Sequence, residues 1–93
     1  MRELARVFRA LGDETRLRIL AELKHRQMCV CELAAALEVP QPTLSHHLGI
    51  LRDVGLVKGE RDGTWTYCSL EKQRFNECGL DFLHLLERKP EFS

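Results

Sequence analysis

Two prolines one residue apart, in Val39-Pro40-Gln41-Pro42, constrain this chain more than any other stretch. Each proline disfavours helical geometry in the residue before it, so a helix arriving from the N-terminal side must stop here. Apolar residues recur at helical spacing on both sides: Val30, Leu33 and Leu37 before the prolines, Leu44, Leu48 and Leu51 after them. The prolines forbid one long helix and force two, joined by a tight turn. Pro42 fits the first turn of the second helix, where its missing N–H is not needed. Gly55 is placed to end that helix in a left-handed cap.

The flanking segments extend the pattern. Leu4, Val7, Phe8 and Leu11 form the apolar stripe of a first helix over residues 1–11, which Gly12 breaks. Asp13 then offers its carboxylate as the N-cap of a second helix carrying Leu17, Ile19, Leu20 and Leu23. The third helix covers roughly 30–38. After Gly55 the period changes from helical to strand-like in residues 56–61 and 64–70, with Asp62-Gly63 between them. An Asp-Gly pair in that setting predicts a β-hairpin. A last helix is expected over about 71–87, with Phe75, Cys78, Phe82, Leu83 and Leu86 mostly on one side. The expected fold is mainly α with a small β-hairpin, in the order α-α-α-α-β-β-α. That is the layout of a winged helix-turn-helix, built as a single domain over residues 1–93.

Composition sets the boundary conditions. Ninety-three residues hold one core, and no apolar run is long enough to span a membrane. The N-terminus is charged throughout, unlike a signal peptide, so a cytoplasmic location is expected, where thiols stay reduced. Net charge is zero, which by itself argues mildly against nucleic acid. The charge is uneven, however: residues 1–28 carry seven Lys/Arg against four Asp/Glu.

The second helix of a helix-turn-helix enters the major groove, so its solvent face should read bases or phosphates. Gln41 can pair bidentately with adenine, while Thr43, Ser45 and His46 are short donors and acceptors. Gly49 allows close approach of a phosphate. Arg61, near the hairpin tip, is the expected cation for the adjacent DNA backbone or minor groove. Each residue alone could merely solvate a helix. Together with the tight turn and the hairpin they make a clamp for double-stranded DNA.

Four cysteines remain: Cys29, Cys31, Cys68 and Cys78. Cys78 and Cys68 read at least as well as small buried apolar residues. The Cys29–Cys31 pair does not. In a helix, i and i+2 lie about 200° apart, so the thiols would face away from each other. In an extended segment they fall on one side. One soft ion could therefore bridge them only if the segment is extended or the first turn is deformed. Thiolates with few nearby His or carboxylate groups suit trivalent arsenic or antimony better than Mg²⁺ or Mn²⁺. An enzyme is not expected. No thioredoxin-like βαβ pattern surrounds the pair, and nothing supplies an oxyanion site for a Cys–His nucleophile.

GDETRLRIL, CVCELAAAL, TLSHHLGILRDVGLV and RDGTWTYCSL resemble the ArsR/SmtB family of metalloregulatory repressors, over about residues 4–70. The resemblance implies a homodimer joined through its first and last helices. It further implies repression of an operator in the ion-free form and release on ion binding, with no permanently bound cofactor. Cys29 and Cys31 stand where the family's arsenite and cadmium/lead/zinc sensors carry their CVC signature. Arsenite sensors often have a third cysteine where this chain has Ala34, so a third thiolate, if used, must come from Cys68, Cys78 or the partner chain. The cadmium/lead type adds cysteines on an N-terminal extension, and the zinc type uses paired His and acidic residues on the last helix, of which this chain has only Asp81 and His84. Arsenite or antimonite is the expected inducer. Cadmium, lead, zinc or thiol oxidation on the same fold are the alternatives, as is a protein-interaction module that has lost DNA.

Overall fold

The computed structural model describes residues 1–79. Its elements run α1 (Arg2–Leu11), α2 (Glu14–Leu23), β1 (Met28–Cys29), α3 (Val30–Leu37), α4 (Gln41–Asp53), β2 (Val57–Asp62), β3 (Trp65–Leu70) and α5 (Lys72–Glu77). The helix-turn-helix pair is α3 and α4, and the wing is β2 with β3.

Local chemistry explains the boundaries. Asp13 caps α2 by accepting the Arg16 N–H at 3.1 Å, and that bond holds its carboxyl below the usual carboxylate range. Pro42 sits in the first turn of α4 as the sequence requires. At the far end Gly55 takes φ +80°, and the Gly55 and Leu56 N–H groups donate to Arg52 and Leu51 carbonyls at 2.9 and 3.0 Å. This is the paired closure of a Schellman cap, which needs a left-handed residue at that point. The hairpin closes through Gly63-Thr64, since Asp62 pairs with Trp65. Gly63 therefore takes the first central position with φ +66°, the requirement of a II′ turn.

The end of α3 lacks such help. Glu38 adopts the left-handed conformation with φ 57° while the Glu38 and Val39 N–H groups close onto Ala35 and Ala34. A side chain costs about 1–2 kcal/mol there, and glycine would return part of that gain as unfolded-state entropy. Glu38→Gly is accordingly expected to stabilise the fold by about 0.5–1 kcal/mol, read as a rise in the urea midpoint at unchanged slope.

The core is one cluster. Ile19, Leu20, Leu33, Leu44, Leu51, Leu56 and Phe75 are all buried to within 2% of complete, so every helix from α2 to α5 contributes an anchor. On α1 the inward face is Val7, Ala10 and Leu11. Leu4 and Phe8, expected on the same stripe, are instead 41% and 54% exposed. The stripe is wider than one neighbour can cover: Val7 and Ala10 lie on one flank of the helix, Phe8 on the other. Arg74 ties α5 to the rest, donating to the Val54 carbonyl at 3.1 Å and to Glu3 on α1 at 2.7 Å.

The sheet holds a strand the sequence pattern does not announce. β1 pairs antiparallel with the free edge of β3, Met28 opposite Cys68 and Cys29 opposite Tyr67, giving the order β1-β3-β2. Two residues carry no periodicity, so only the neighbouring edge reveals them. The continuation of the last helix to residue 87, with Phe82, Leu83, Leu86, Asp81 and His84, lies outside the described residues. No described helix is long and apolar enough to cross a membrane.

Candidate thiol site and nucleic-acid interface

β1 decides the geometry of the two thiols. Cys29 is extended, with φ −74° and ψ 155°, and serves as the N-cap of α3, while Cys31 lies in the first helical turn. The 200° separation of two helical residues therefore does not apply. Their sulfurs meet on one side, 2.6 Å apart, and α3 stays regular from Val30 onward. The expected conflict between bridging the thiols and forming the helix is resolved by the extended residue at the boundary.

The cap itself is a capping box with sulfur in the hydroxyl's place. Cys29 Sγ accepts the Glu32 N–H at 3.4 Å, and Glu32 Oε1 accepts the Cys29 N–H at 3.1 Å. The Cys31 thiol beside it, aided by the Glu32 N–H, holds the Cys29 thiol below the usual cysteine range. The same contact pushes Cys31 up. A helix N-terminus favours thiolate for the further reason of its dipole. Cys29 is only 5% exposed, whereas Cys31 is open to solvent. The pair thus combines a thiolate-leaning sulfur with an exposed partner.

Both line an open cleft of about 360 Å³ between the start of α3, helix α4 and the hairpin. Gln41, Ser45, Leu48 and Arg52 come from α4, and Trp65 and Cys68 from β3. Cys68 is buried, and burial pushes its thiol up while nearby Arg52 works against that. Cys68 thus enters the same cleft, yet among the described residues no three His, Cys, Asp or Glu side chains are grouped to hold an ion. Cys78 packs, partly buried, against the core, in keeping with a structural role.

On α4, Gln41, Thr43, Ser45 and His46 are all exposed, and so is Arg61 on β2. A Cβ at Gly49 would meet no atom within 4 Å, so packing within the chain does not demand glycine there. His47 was not singled out by the sequence and is 14% exposed. Its Nδ1 lies 3.2 Å from Arg16 Nη1 and 3.8 Å from Asp13 Oδ2, while Arg16 Nε donates to the Ala10 carbonyl at 2.6 Å. Arginine can only donate, so His47 accepts. This network fastens α4 to the α1–α2 junction. Its members lie 31 residues apart in sequence, and no local spacing signals it.

Comparison with known proteins agrees with this architecture. Residues 13–58 match the family model "Bacterial regulatory protein, arsR family". The chain is 46% identical over 74 residues to the uncharacterized HTH-type transcriptional regulator MJ1325 of Methanocaldococcus jannaschii, covering 78% of this chain and 83% of that protein. It is 43% identical over 77 residues to the arsenical resistance operon repressor of Bacillus subtilis, covering 82% and 73%. The solution structure of the homodimeric winged helix-turn-helix DNA-binding domain of Mb0332 from Mycobacterium bovis superposes with a TM-score of 0.78 at 30% identity, covering 89% and 78%. The chain belongs to the ArsR family of winged helix-turn-helix, DNA-binding transcriptional regulators, and is not an enzyme.

Proposed function

We propose that this protein is a cytoplasmic repressor that binds operator DNA as a homodimer and releases it when arsenite or antimonite binds Cys29 and Cys31. The observation that carries the reading is the shared cleft: the convergent thiols open into the same space as Gln41 and Ser45 of the DNA-facing helix. Gln41, Thr43, Ser45 and His46 would meet base edges, and Arg61 the phosphate backbone beside the wing. Thiolates select soft ions over hard ones such as Mg²⁺ or Mn²⁺. Metal–sulfur bonds of about 2.3 Å space two sulfurs on one ion by roughly 3–4 Å. Cys31 must therefore swing outward from its 2.6 Å contact, toward the cleft, when an ion enters. Whatever fills the cleft then presses on α4 near the residues that would read DNA.

The short sulfur contact also favours a second reading, in which peroxide takes two electrons and two protons from the pair to leave a disulfide and water. One experiment separates the two. A duplex selected from a random pool is bound to the protein, and arsenite, cadmium, zinc and peroxide are titrated separately under reducing or oxidising conditions as appropriate. Arsenite is expected to release the duplex at the lowest concentration. Release by peroxide alone overturns the arsenite reading, and failure to bind any duplex at low salt overturns the repressor reading.

A further inference from the structure

α1 and α4 are tied to each other twice, each time through an arginine that belongs to neither helix. Near the end of α1, Arg16 Nε donates to the Ala10 carbonyl at 2.6 Å, while its Nη1 meets His47 Nδ1 of α4 at 3.2 Å. Near the start of α1, Arg74 Nη2 donates to Glu3 at 2.7 Å, while its Nε donates to the carbonyl of Val54, the C-cap of α4, at 3.1 Å. The attachment points match. Glu3 and Ala10 stand seven residues apart on α1, and His47 and Val54 stand seven apart along α4 and its cap. Seven residues make about two helical turns, or roughly 10 Å, so the two ties lie side by side. Both carbonyls are at helix C-termini, where the backbone leaves acceptors unpaired and the dipole favours a cation.

Direct packing of the two helices is incomplete. An open groove of about 350 Å³ is lined by Arg6 and Arg9 of α1 and by Ile50 and Asp53 of α4. Ala10 and Arg16 of one tie and Val54 of the other also stand on its walls. No hydrogen bond or ion pair among the described residues runs directly from α1 to α4. One tie would leave α4 a pivot, and two fix its angle.

We propose that the Arg16–His47 and Arg74–Glu3 contacts form a two-point brace holding α4 at a set angle to α1, which makes them positioning residues for the spacing of the operator's two half-sites. This rests on the reading above, in which the protein binds operator DNA as a homodimer, and on α1 lying at the subunit interface as the family resemblance implies. Phe8, half exposed, is on the flank of α1 away from Ala10. In a dimer joined through α1, the angle between α1 and α4 becomes the distance and twist between the two copies of α4. Adding one base pair between half-sites moves them by about 3.4 Å and turns them by about 34°. A braced α4 rejects that change, and a pivoting one tolerates it.

The test binds the full chain to a duplex selected from a random pool and to copies with the half-sites moved together or apart by one or two base pairs. The readout is the ratio of affinities for native and altered spacing, beside the affinity for a duplex with one half-site. His47→Leu removes the acceptor, and Glu3→Ala cuts the second tie at its exposed end. Each is expected to lower the spacing ratio by about fivefold while leaving half-site affinity within about twofold. The double variant should fall little further, because one lost tie already frees the angle. His47→Asn returns an acceptor near the Nδ1 position and should keep the wild-type ratio. If His47→Leu loses the circular dichroism of the fold, Glu3→Ala carries the test. Unchanged ratios, a half-site affinity that falls as far as that of the full site, or losses that simply add in the double variant overturn the brace while the repressor reading stands. A selected duplex with a single half-site, or a wild-type chain indifferent to spacing, removes the dimeric reading and the proposal with it.

Discussion

Cys29→Ser is expected to abolish release of the operator by arsenite while leaving affinity for DNA within about twofold. The substitution separates chemistry from fold unusually well. Serine is a preferred N-cap, and Ser followed by Glu three residues later is the standard capping box, so the bonds to the Glu32 N–H and from the Cys29 N–H survive. Only the sulfur goes. Coupling between an effector site and a second site is typically worth about 1–3 kcal/mol, or 5- to 150-fold in affinity, and the variant should bring that factor to about one. Anisotropy of a labelled duplex with and without arsenite reads it directly. An undiminished arsenite response in Cys29→Ser would place the sensing site elsewhere. Loss of DNA binding without arsenite would instead mean that sulfur at the cap is needed for the fold.

The same pair is expected to give different pH behaviour for different ions. Arsenite brings hydroxyls that leave as water with the thiol protons, so its affinity is expected to be nearly flat between pH 6 and 8. A divalent cation must displace protons from both sulfurs, so cadmium affinity should climb as pH rises, until first Cys29 and then Cys31 has ionised. The order follows from the opposed shifts of the two thiols: Cys29 is held low by its neighbour and loses its proton first.

Much of this frame is legible before any coordinates. The paired prolines stop one helix and start another, Gly55 closes α4, and Leu44, Leu48 and Leu51 all face the core as their spacing requires. Gln41, Thr43, Ser45, His46 and Arg61 are all on the surface. What escapes the sequence shares a cause: it depends on contacts made by distant residues. β1 exists because β3 has a free edge, and Cys29 caps α3 from within that two-residue strand. Cysteine is not among the usual N-cap residues, so Cys29-x-x-Glu32 does not read as a capping box. The bond between Arg16 and His47, and the cleft that Trp65 lines together with the thiols, are likewise products of the assembled fold.

The exposure of Leu4 and Phe8 leads to the second large effect. They sit four residues apart on α1, and in a single chain both remain against water. Family resemblance implies a dimer through this helix, and the Mb0332 domain with the same architecture is homodimeric. Phe8→Asp should therefore split the dimer, because an unpaired carboxylate cannot be buried against a second apolar face at tolerable cost. The monomer itself should survive. Phe8 is 54% exposed and outside the core, and aspartate and phenylalanine have similar intrinsic helix propensities. Two linked half-site contacts gain about 10²–10⁴ in avidity over one, so operator affinity should fall by about a hundredfold or more. Sedimentation then shows a single chain of 10.8 kDa with an unchanged circular dichroism spectrum. Leu4→Asp should behave alike. If both variants sediment as dimers and hold the operator as before, α1 is not the dimer face, and the stripe left open on it requires a different partner.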